Sequence, residues 1–101
     1  MTNASPLNIE EIDNFTSKNP DWSFEDNKLK AKFEFGSFEE AIKIINEIAT
    51  VCSKMDHHPL MTNVYNRLMF SIATHRAGDK VTQLDVELAK EISRIIKEAG
   101  N

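Results

Sequence analysis

Residues 22–35, WSFEDNKLKAKFEF, decide the fold because they carry the alternation of a sheet. Apolar and polar side chains alternate on both sides of an interruption at Asp26 and Asn27. Alternation at every second position is typical of strands with one buried face, and Asp and Asn favour turns. The stretch therefore predicts a β-hairpin with one apolar and one charged face, so helices should cover only one side of the sheet.

Helical patterns flank this hairpin. Before it, apolar residues at loosely helical spacing predict a helix that Pro6 opens and that runs to about Lys18. After it, Ser37 and Glu40 have the spacing of a capping box, in which each side chain bonds the backbone of the other residue. A wide apolar stripe follows as far as about Ser53, which predicts the central core helix.

The second half of the chain predicts another hairpin and a last helix. Apolar residues at even spacing, with Val64 in the same parity, predict a strand over residues 67–73. Asn66 marks the turn from a preceding strand that begins near Pro59, and Thr82 is a suitable N-cap for the last helix. The order αββαββα predicts an α+β, two-layer fold, a four-stranded antiparallel sheet with three helices on one face.

The composition is that of a single globular domain. A length of 101 residues with 41% hydrophobic and 28% charged residues suits one domain over residues 1–101, with residues 1–5 expected to be flexible. The net charge of −4 leaves no basic face for a nucleic-acid backbone, and no apolar run is long enough to cross a bilayer. We therefore expect no direct nucleic-acid or membrane partner. The single cysteine and the absence of a signal-like N-terminus predict a cytoplasmic protein.

All three histidines lie within residues 54–75, KMDHHPLMTNVYNRLMFSIATH. His57 and His58 are adjacent and precede Pro59, and His75 ends the stretch. The proline restricts His58 to an extended backbone and so fixes the direction of its side chain. An ordinary imidazole has a pKa of about 6.5, so both of its forms are available near neutrality for general acid–base catalysis. The stretch therefore predicts a histidine site after the central helix.

The spacing around these histidines resembles that of one enzyme family, the pterin-4a-carbinolamine dehydratases. The residues that carry the resemblance are His57-His58-Pro59, then after five residues Tyr65, after nine more His75, and after nine more Asp85. Trp22 and the segments 32–35, 63–66 and 85–89 are similar to the family as well. The resemblance extends over roughly residues 22–96.

The resemblance implies an enzyme that dehydrates 4a-hydroxytetrahydropterins to quinonoid dihydropterins in tetrahydrobiopterin recycling. It implies a homodimer or homotetramer, with no metal and no organic cofactor. His57 and His75 would be the acid–base pair, and His58 would chiefly bind and orient the pterin. The residues expected to bind substrate are Pro59, Tyr65, Asp85 and Trp22.

Three residues depart from the family pattern. Ser53 stands four positions before the first histidine, where the family has an ionisable residue, often glutamate. Leu60 and Met61 stand where many members have an acidic residue and an aromatic one. Asp56, immediately before the histidine pair, could supply a substitute charge. These departures leave open a second hypothesis, a weakly active or silent family member that acts as a binding or assembly protein.

Simpler interpretations also stay open for single residues. The adjacent histidines could lie in a solvated loop. Alternatively, Cys52, His57, His58 and His75 could be zinc ligands, although the usual ligand spacing is missing. Asp85 could serve only as a carboxylate at a helix N-terminus. Trp22 and Tyr65 could be core or pocket wall, and Cys52 a small core residue. Exposed sheet edges, finally, favour self-association.

Overall fold

The computed structural model describes residues 5–100, and their helices and strands follow the predicted order αββαββα. The elements are α1 (Ile9–Lys18), β1 (Trp22–Glu25), β2 (Lys28–Glu34), α2 (Phe38–Met55), β3 (Leu60–Val64), β4 (Arg67–Ile72) and α3 (Gln83–Glu98), with a short 3-10 helix (His75–Ala77) before α3. Residues 1–4 of the segment expected to be flexible lie outside the described residues.

The four strands form one antiparallel sheet in the order β1-β2-β4-β3. Its register brings the apolar side chains to one face: Ala31 of β2 lies between Trp22 of β1 and Phe70 of β4, and Leu29 pairs with Ile72. These residues are buried in a common core with the apolar stripes of the helices. The predicted two-layer α+β fold is confirmed.

The helical layer packs on this face through small and branched apolar residues. The buried apolar residues of α2 and α3 are Ala41, Ile44, Ile48, Cys52, Leu84, Val86, Leu88, Ala89, Ile92, Ile95 and Ile96. Cys52 thus has the place of a small core residue, and burial raises the pKa of its thiol. No helix among residues 5–100 is long and apolar enough to cross a membrane.

The start of α1 differs from the sequence prediction. Asn8, not Pro6, caps the helix: Asn8 Oδ1 accepts from the Glu11 amide at 2.8 Å, and Glu11 Oε1 accepts from the Asn8 amide at 3.1 Å. Leu7, which lies between Pro6 and Asn8, donates its amide hydrogen to the carbonyl of Val81 at 2.8 Å. This long-range bond holds the chain outside the helix, so the helix begins later than local sequence suggests.

The start of α2 follows the prediction in part. The Ser37 hydroxyl accepts from the Glu40 amide at 3.1 Å, as a capping residue should. The Glu40 carboxylate, however, accepts from the amide of Gly36 at 3.0 Å instead of completing the reciprocal bond with Ser37. The predicted helix is confirmed, and its first turn is tied to the end of the preceding strand.

The second hairpin corrects two details of the prediction. Tyr65 and Asn66 form its turn, with Tyr65 at φ +53°, so Val64 pairs with Arg67 and is 55% exposed on the open face of the sheet. Grouping Val64 with the core side chains of β4 was wrong because a two-residue turn resets the parity. The strand also ends at Ile72 rather than at residue 73, since the chain then turns into the 3-10 helix.

Candidate active site

One cleft of about 410 Å³ lies where the end of α2, the 3-10 helix and the start of α3 meet. Its lining residues are Met55, Asp56, His57, Thr74, His75, Arg76 and Leu84. His57 and His75 therefore reach the same cleft from different elements. His75 is carried by the 3-10 helix and not by strand β4 itself, because β4 has already ended at Ile72.

The end of α2 places His57. Asp56 adopts left-handed backbone angles of φ 51° and ψ 45°, a region that Asp tolerates better than most residues. The amide of His57 then donates to the carbonyl of Cys52 at 3.1 Å, and the amide of Asp56 to that of Ser53 at 3.4 Å. This pair of bonds is a Schellman-type helix end, which reverses the chain sharply. It turns His57 toward α3 while Pro59 leads into β3.

A buried carboxylate holds the far side of the His57 ring. Asp85 Oδ1 lies 2.6 Å from His57 Nε2, and the Asp85 side chain has no exposed surface. Its other oxygen, Oδ2, accepts from the Thr82 amide at 2.7 Å and from the Thr74 hydroxyl at 2.8 Å. A carboxylate surrounded by donors is acceptor-only, so a neutral His57 carries its proton on Nε2 and leaves Nδ1 unprotonated.

Asp85 thus joins two of the interpretations open from sequence. It completes the capping box of α3 with Thr82, and through His57 it belongs to the cleft. It does not line the cleft, however, and its burial prevents direct contact with a ligand there. The geometry gives Asp85 an effect on the site through the imidazole rather than through the substrate.

His75 has the opposite environment. Its side chain is 96% exposed, and its Nδ1 lies 3.0 Å from Oδ1 of Asp79 within the same loop. The loop is closed by the Thr74 amide, which donates to the Lys80 carbonyl at 2.9 Å. The cleft therefore holds one imidazole backed by a buried carboxylate and one backed by an exposed carboxylate.

The remaining residues of the predicted site lie away from this cleft. His58 is exposed and, within residues 5–100, its ring makes no hydrogen bond to another side chain; Pro59 beside it is half-buried. Tyr65 is 68% exposed beyond β3, whose five residues span roughly 16 Å of extended chain. Trp22 is 3% exposed, and its Nε1 donates to the Ser93 hydroxyl at 2.8 Å.

Two charged residues in the cleft are notable because of the family position that Ser53 occupies. Asp56 and Arg76 line the cleft with opposite charges, whereas Ser53 is exposed on α2 and does not line it. The sequence indicated Asp56 only as a possible substitute charge, and Arg76 had no sequence signal beyond its place after His75. Within the described part of the chain, no three His, Cys, Asp or Glu side chains are arranged to hold a metal ion.

Comparison with known proteins places the chain in a family. A family model described as pterin 4 alpha carbinolamine dehydratase matches residues 5–95, which is most of the chain. The chain belongs to the pterin-4a-carbinolamine dehydratase family.

Relatives of known sequence and structure agree with this. The chain is 43% identical over 74 residues to a Sulfolobus acidocaldarius protein provisionally named a pterin-4-alpha-carbinolamine dehydratase, covering 73% of this chain and 80% of that one. It is 37% identical over 91 residues to a Prochlorococcus marinus protein with the same provisional name, covering 90% and 94%. The crystal structure of a transcriptional coactivator/pterin dehydratase from Brucella melitensis superposes with a TM-score of 0.85 at 29% identity, covering 90% and 98%.

Proposed function

We propose that the protein dehydrates a 4a-hydroxytetrahydropterin to a quinonoid dihydropterin, with His57 and His75 as the acid–base pair. The observation that carries the proposal is that these two imidazoles, from separate elements, line one cleft in a chain that belongs to this family. The reaction would serve the recycling of tetrahydrobiopterin.

The chemistry needs one acid and one base. The C4a–O bond breaks and the hydroxyl leaves as water after it takes up a proton. The N5–H proton is removed, and its electron pair forms the C4a=N5 double bond. The proton given and the proton taken cancel, so the step needs no oxidant or reductant. General acid–base catalysis of this kind contributes about 10²–10⁴-fold.

The surroundings of the two imidazoles divide these tasks. His57 offers an unprotonated Nδ1. The buried Asp85 carboxylate behind the ring stabilises the positive charge that develops when the ring takes up the N5 proton. His75 is open to solvent and can exchange protons with water between turnovers. His57 is therefore the base, and His75 is the acid that protonates the leaving hydroxyl.

Binding of the pterin ring falls to polar groups around the cleft. Asp56 and Arg76 offer an acceptor and a donor to the amide and amino edge of the ring. The family resemblance gives His58 the task of orienting the ring; His58 is exposed next to His57 but does not line the cleft, so this role rests on the resemblance alone. Asp85 acts through His57.

The direct test is the dehydration of a freshly generated carbinolamine, followed by absorbance against the uncatalysed rate. The wild-type protein should accelerate quinonoid dihydropterin formation, and His57→Ala and His75→Ala should each lose about 10²-fold or more. A surface change far from the histidines in sequence, Glu10→Gln on α1, serves as the control and should retain full activity. Wild-type protein that leaves the uncatalysed rate unchanged would reject the proposal.

The proposed assembly is a homodimer or homotetramer. β1 and β3 are the edge strands of the sheet. On β3, the apolar side chains of Leu60 and Val64 are 67% and 55% exposed. Pairing of one edge with its own copy across a two-fold axis would satisfy its free backbone groups. The second hypothesis is a weakly active or silent member that binds or assembles other proteins. It rests on the neutral Ser53 and on the similarity to the Brucella melitensis protein, which is named a transcriptional coactivator as well as a pterin dehydratase.

A further inference from the structure

Each imidazole of the cleft has a carboxylate behind it, and the two carboxylates bind different ring nitrogens. Asp85 lies against Nε2 of His57, whereas Asp79 lies against Nδ1 of His75. We propose that the two rings are held in opposite neutral tautomers and that Asp79 is the positioning residue of His75. In its kinetic part this inference rests on the proposed function.

The tautomer of His75 follows from the hydrogen bond. Asp79 Oδ1 lies 3.0 Å from His75 Nδ1, which is a normal distance for a nitrogen that donates to a carboxylate oxygen. Since an ionised carboxylate can only accept, the proton of a neutral His75 is on Nδ1, and Nε2 is left with its lone pair. Asp79 itself does not line the cleft, so it acts on the ring from behind.

The loop gives Asp79 a defined place despite its exposure. Asp79 has a left-handed backbone at φ +60°, and its amide donates to the carbonyls of Thr74 at 3.1 Å and His75 at 3.4 Å. Thr74 also bonds Asp85 through its hydroxyl at 2.8 Å. The backbone and side chain of Thr74 therefore tie the loop that carries Asp79 to the buried carboxylate of the other pair.

The opposite tautomers match the two tasks of the reaction. As the acid, a protonated His75 keeps Nδ1–H on Asp79 and donates its Nε2 proton to the leaving hydroxyl. Loss of that proton leaves the tautomer that Asp79 already stabilises, so the ring need not rotate or exchange its second proton during the step. His57, with Nε2–H on Asp85, takes up a proton at Nδ1.

The spectroscopic test needs no substrate. Two-bond and three-bond proton–nitrogen correlation spectra of the labelled protein distinguish Nδ1–H from Nε2–H in each ring, recorded above the midpoint of that ring's own titration. We expect His57 as the Nε2–H tautomer and His75 as the Nδ1–H tautomer. In Asp79→Gly, His75 should shift toward Nε2–H, the form that free imidazole side chains prefer in water, while His57 stays unchanged.

The choice of variants separates the carboxylate from the backbone. Glycine adopts positive φ freely, so Asp79→Gly removes the carboxylate without strain. Asp79→Asn tolerates the same backbone and retains an acceptor oxygen, so it should restore part of the Nδ1–H population. Asp26→Gly is the matched control, since Asp26 is also an exposed aspartate at positive φ, with Lys30 as its partner.

The kinetic test compares kcat with KM. Because an exposed pair is partly screened by water, Asp79→Gly should lower kcat only about 3–10-fold, with little change in KM and with partial rescue by Asp79→Asn. Asp26→Gly should match wild type in both. A wild-type His75 in the Nε2–H form, or an unchanged tautomer in Asp79→Gly, would overturn the inference. Inactive wild-type protein with the expected tautomers would support it and reject the proposed function alone.

Discussion

The carboxylate of Asp85 lies 2.6 Å from the imidazole of His57 and is completely buried behind it. One oxygen serves the histidine and the other serves the first turn of α3 and the Thr74 hydroxyl. The Asp85 side chain therefore links the stability of α3 to the tautomer of the His57 imidazole in the cleft.

Replacing Asp85 by asparagine should lower both the stability of the protein and its activity. The Thr82 amide still needs an acceptor, so the introduced amide would turn its NH₂ toward Nε2 of His57 and favour the wrong tautomer. We expect activity to fall about 10²-fold or more and unfolding free energy to fall by about 1–3 kcal/mol. Steady-state kinetics and urea denaturation measure the two effects.

Thr82→Val is the matched control for this change. It removes the capping hydroxyl of α3, which bonds the Leu84 amide at 3.2 Å, but it leaves the bond between Asp85 and His57 in place. The loss should be about 1 kcal/mol of stability with most of the activity retained. Equal losses of activity in the two variants would contradict a specific role for Asp85.

His75→Ala should separate activity from folding most cleanly. Since the side chain is 96% exposed, its removal should change the unfolding free energy by less than about 0.5 kcal/mol. The activity should still fall by about 10²–10⁴-fold because the acid is lost. Thermal unfolding alongside kcat tests this, and a folded variant with near-normal kcat would exclude His75 as the acid.

Asp56 rather than Ser53 should supply the charge of the cleft. Asp56→Asn keeps the left-handed backbone at the end of α2 but removes the charge, so KM should rise about 3–10-fold. Ser53→Glu should change activity less than about twofold, because Ser53 lies outside the cleft. A large gain of activity in Ser53→Glu would instead favour a member that has drifted away from catalysis.

Cys52 should be unreactive in the folded protein. Burial raises the pKa of its thiol, so less thiolate forms at a given pH than in the unfolded chain. The neutral thiol is the form that the fold favours, so its contribution to stability is present below the ordinary thiol pKa of about 8.5 and is lost as pH rises above it. Thiol labelling at pH 8 should be slow in buffer and fast in denaturant; fast labelling of native protein would show the site is open.

The proposed edge pairing predicts the effect of a charge on β3. Val64→Lys and Leu60→Lys place like charges at an edge next to its own copy but disturb no core contact, since both side chains are exposed. Sedimentation should show dissociation toward monomer with thermal stability of the monomer preserved. Unchanged assembly in both variants would place the interface elsewhere.

The sequence predicted the fold well wherever the local alternation or spacing of apolar side chains was enough to identify a strand or a helix. Alternation in residues 22–35 and the stripes of the helices gave the order of elements and the two layers. The errors at Pro6, Val64 and residue 73 arose where a distant bond or a turn overrides the pattern, as the bond from Leu7 to Val81 does. That one domain spans residues 1–101 stays a prediction.

The site was predicted less completely because its parts come from separate elements. The family resemblance implied that His57 and His75 act together. It could not show that Asp85 turns one oxygen to a ring and the other to a helix, since this depends on how α2 packs on α3. Asp79 was missed because a 3-10 helix and a left-handed residue have weak sequence signals. The roles of His58, Tyr65 and Trp22 stay predictions.

The double use of Asp85 also sets how the protein should respond to heat. Because the Thr82 amide and the His57 ring share one carboxylate, any opening of the first turn of α3 frees the ring at the same moment. Hydrogen–deuterium exchange at the Thr82 amide should therefore rise in step with loss of turnover during warming, well before the sheet opens. The amide of a helix cap would then report the working lifetime of the catalyst.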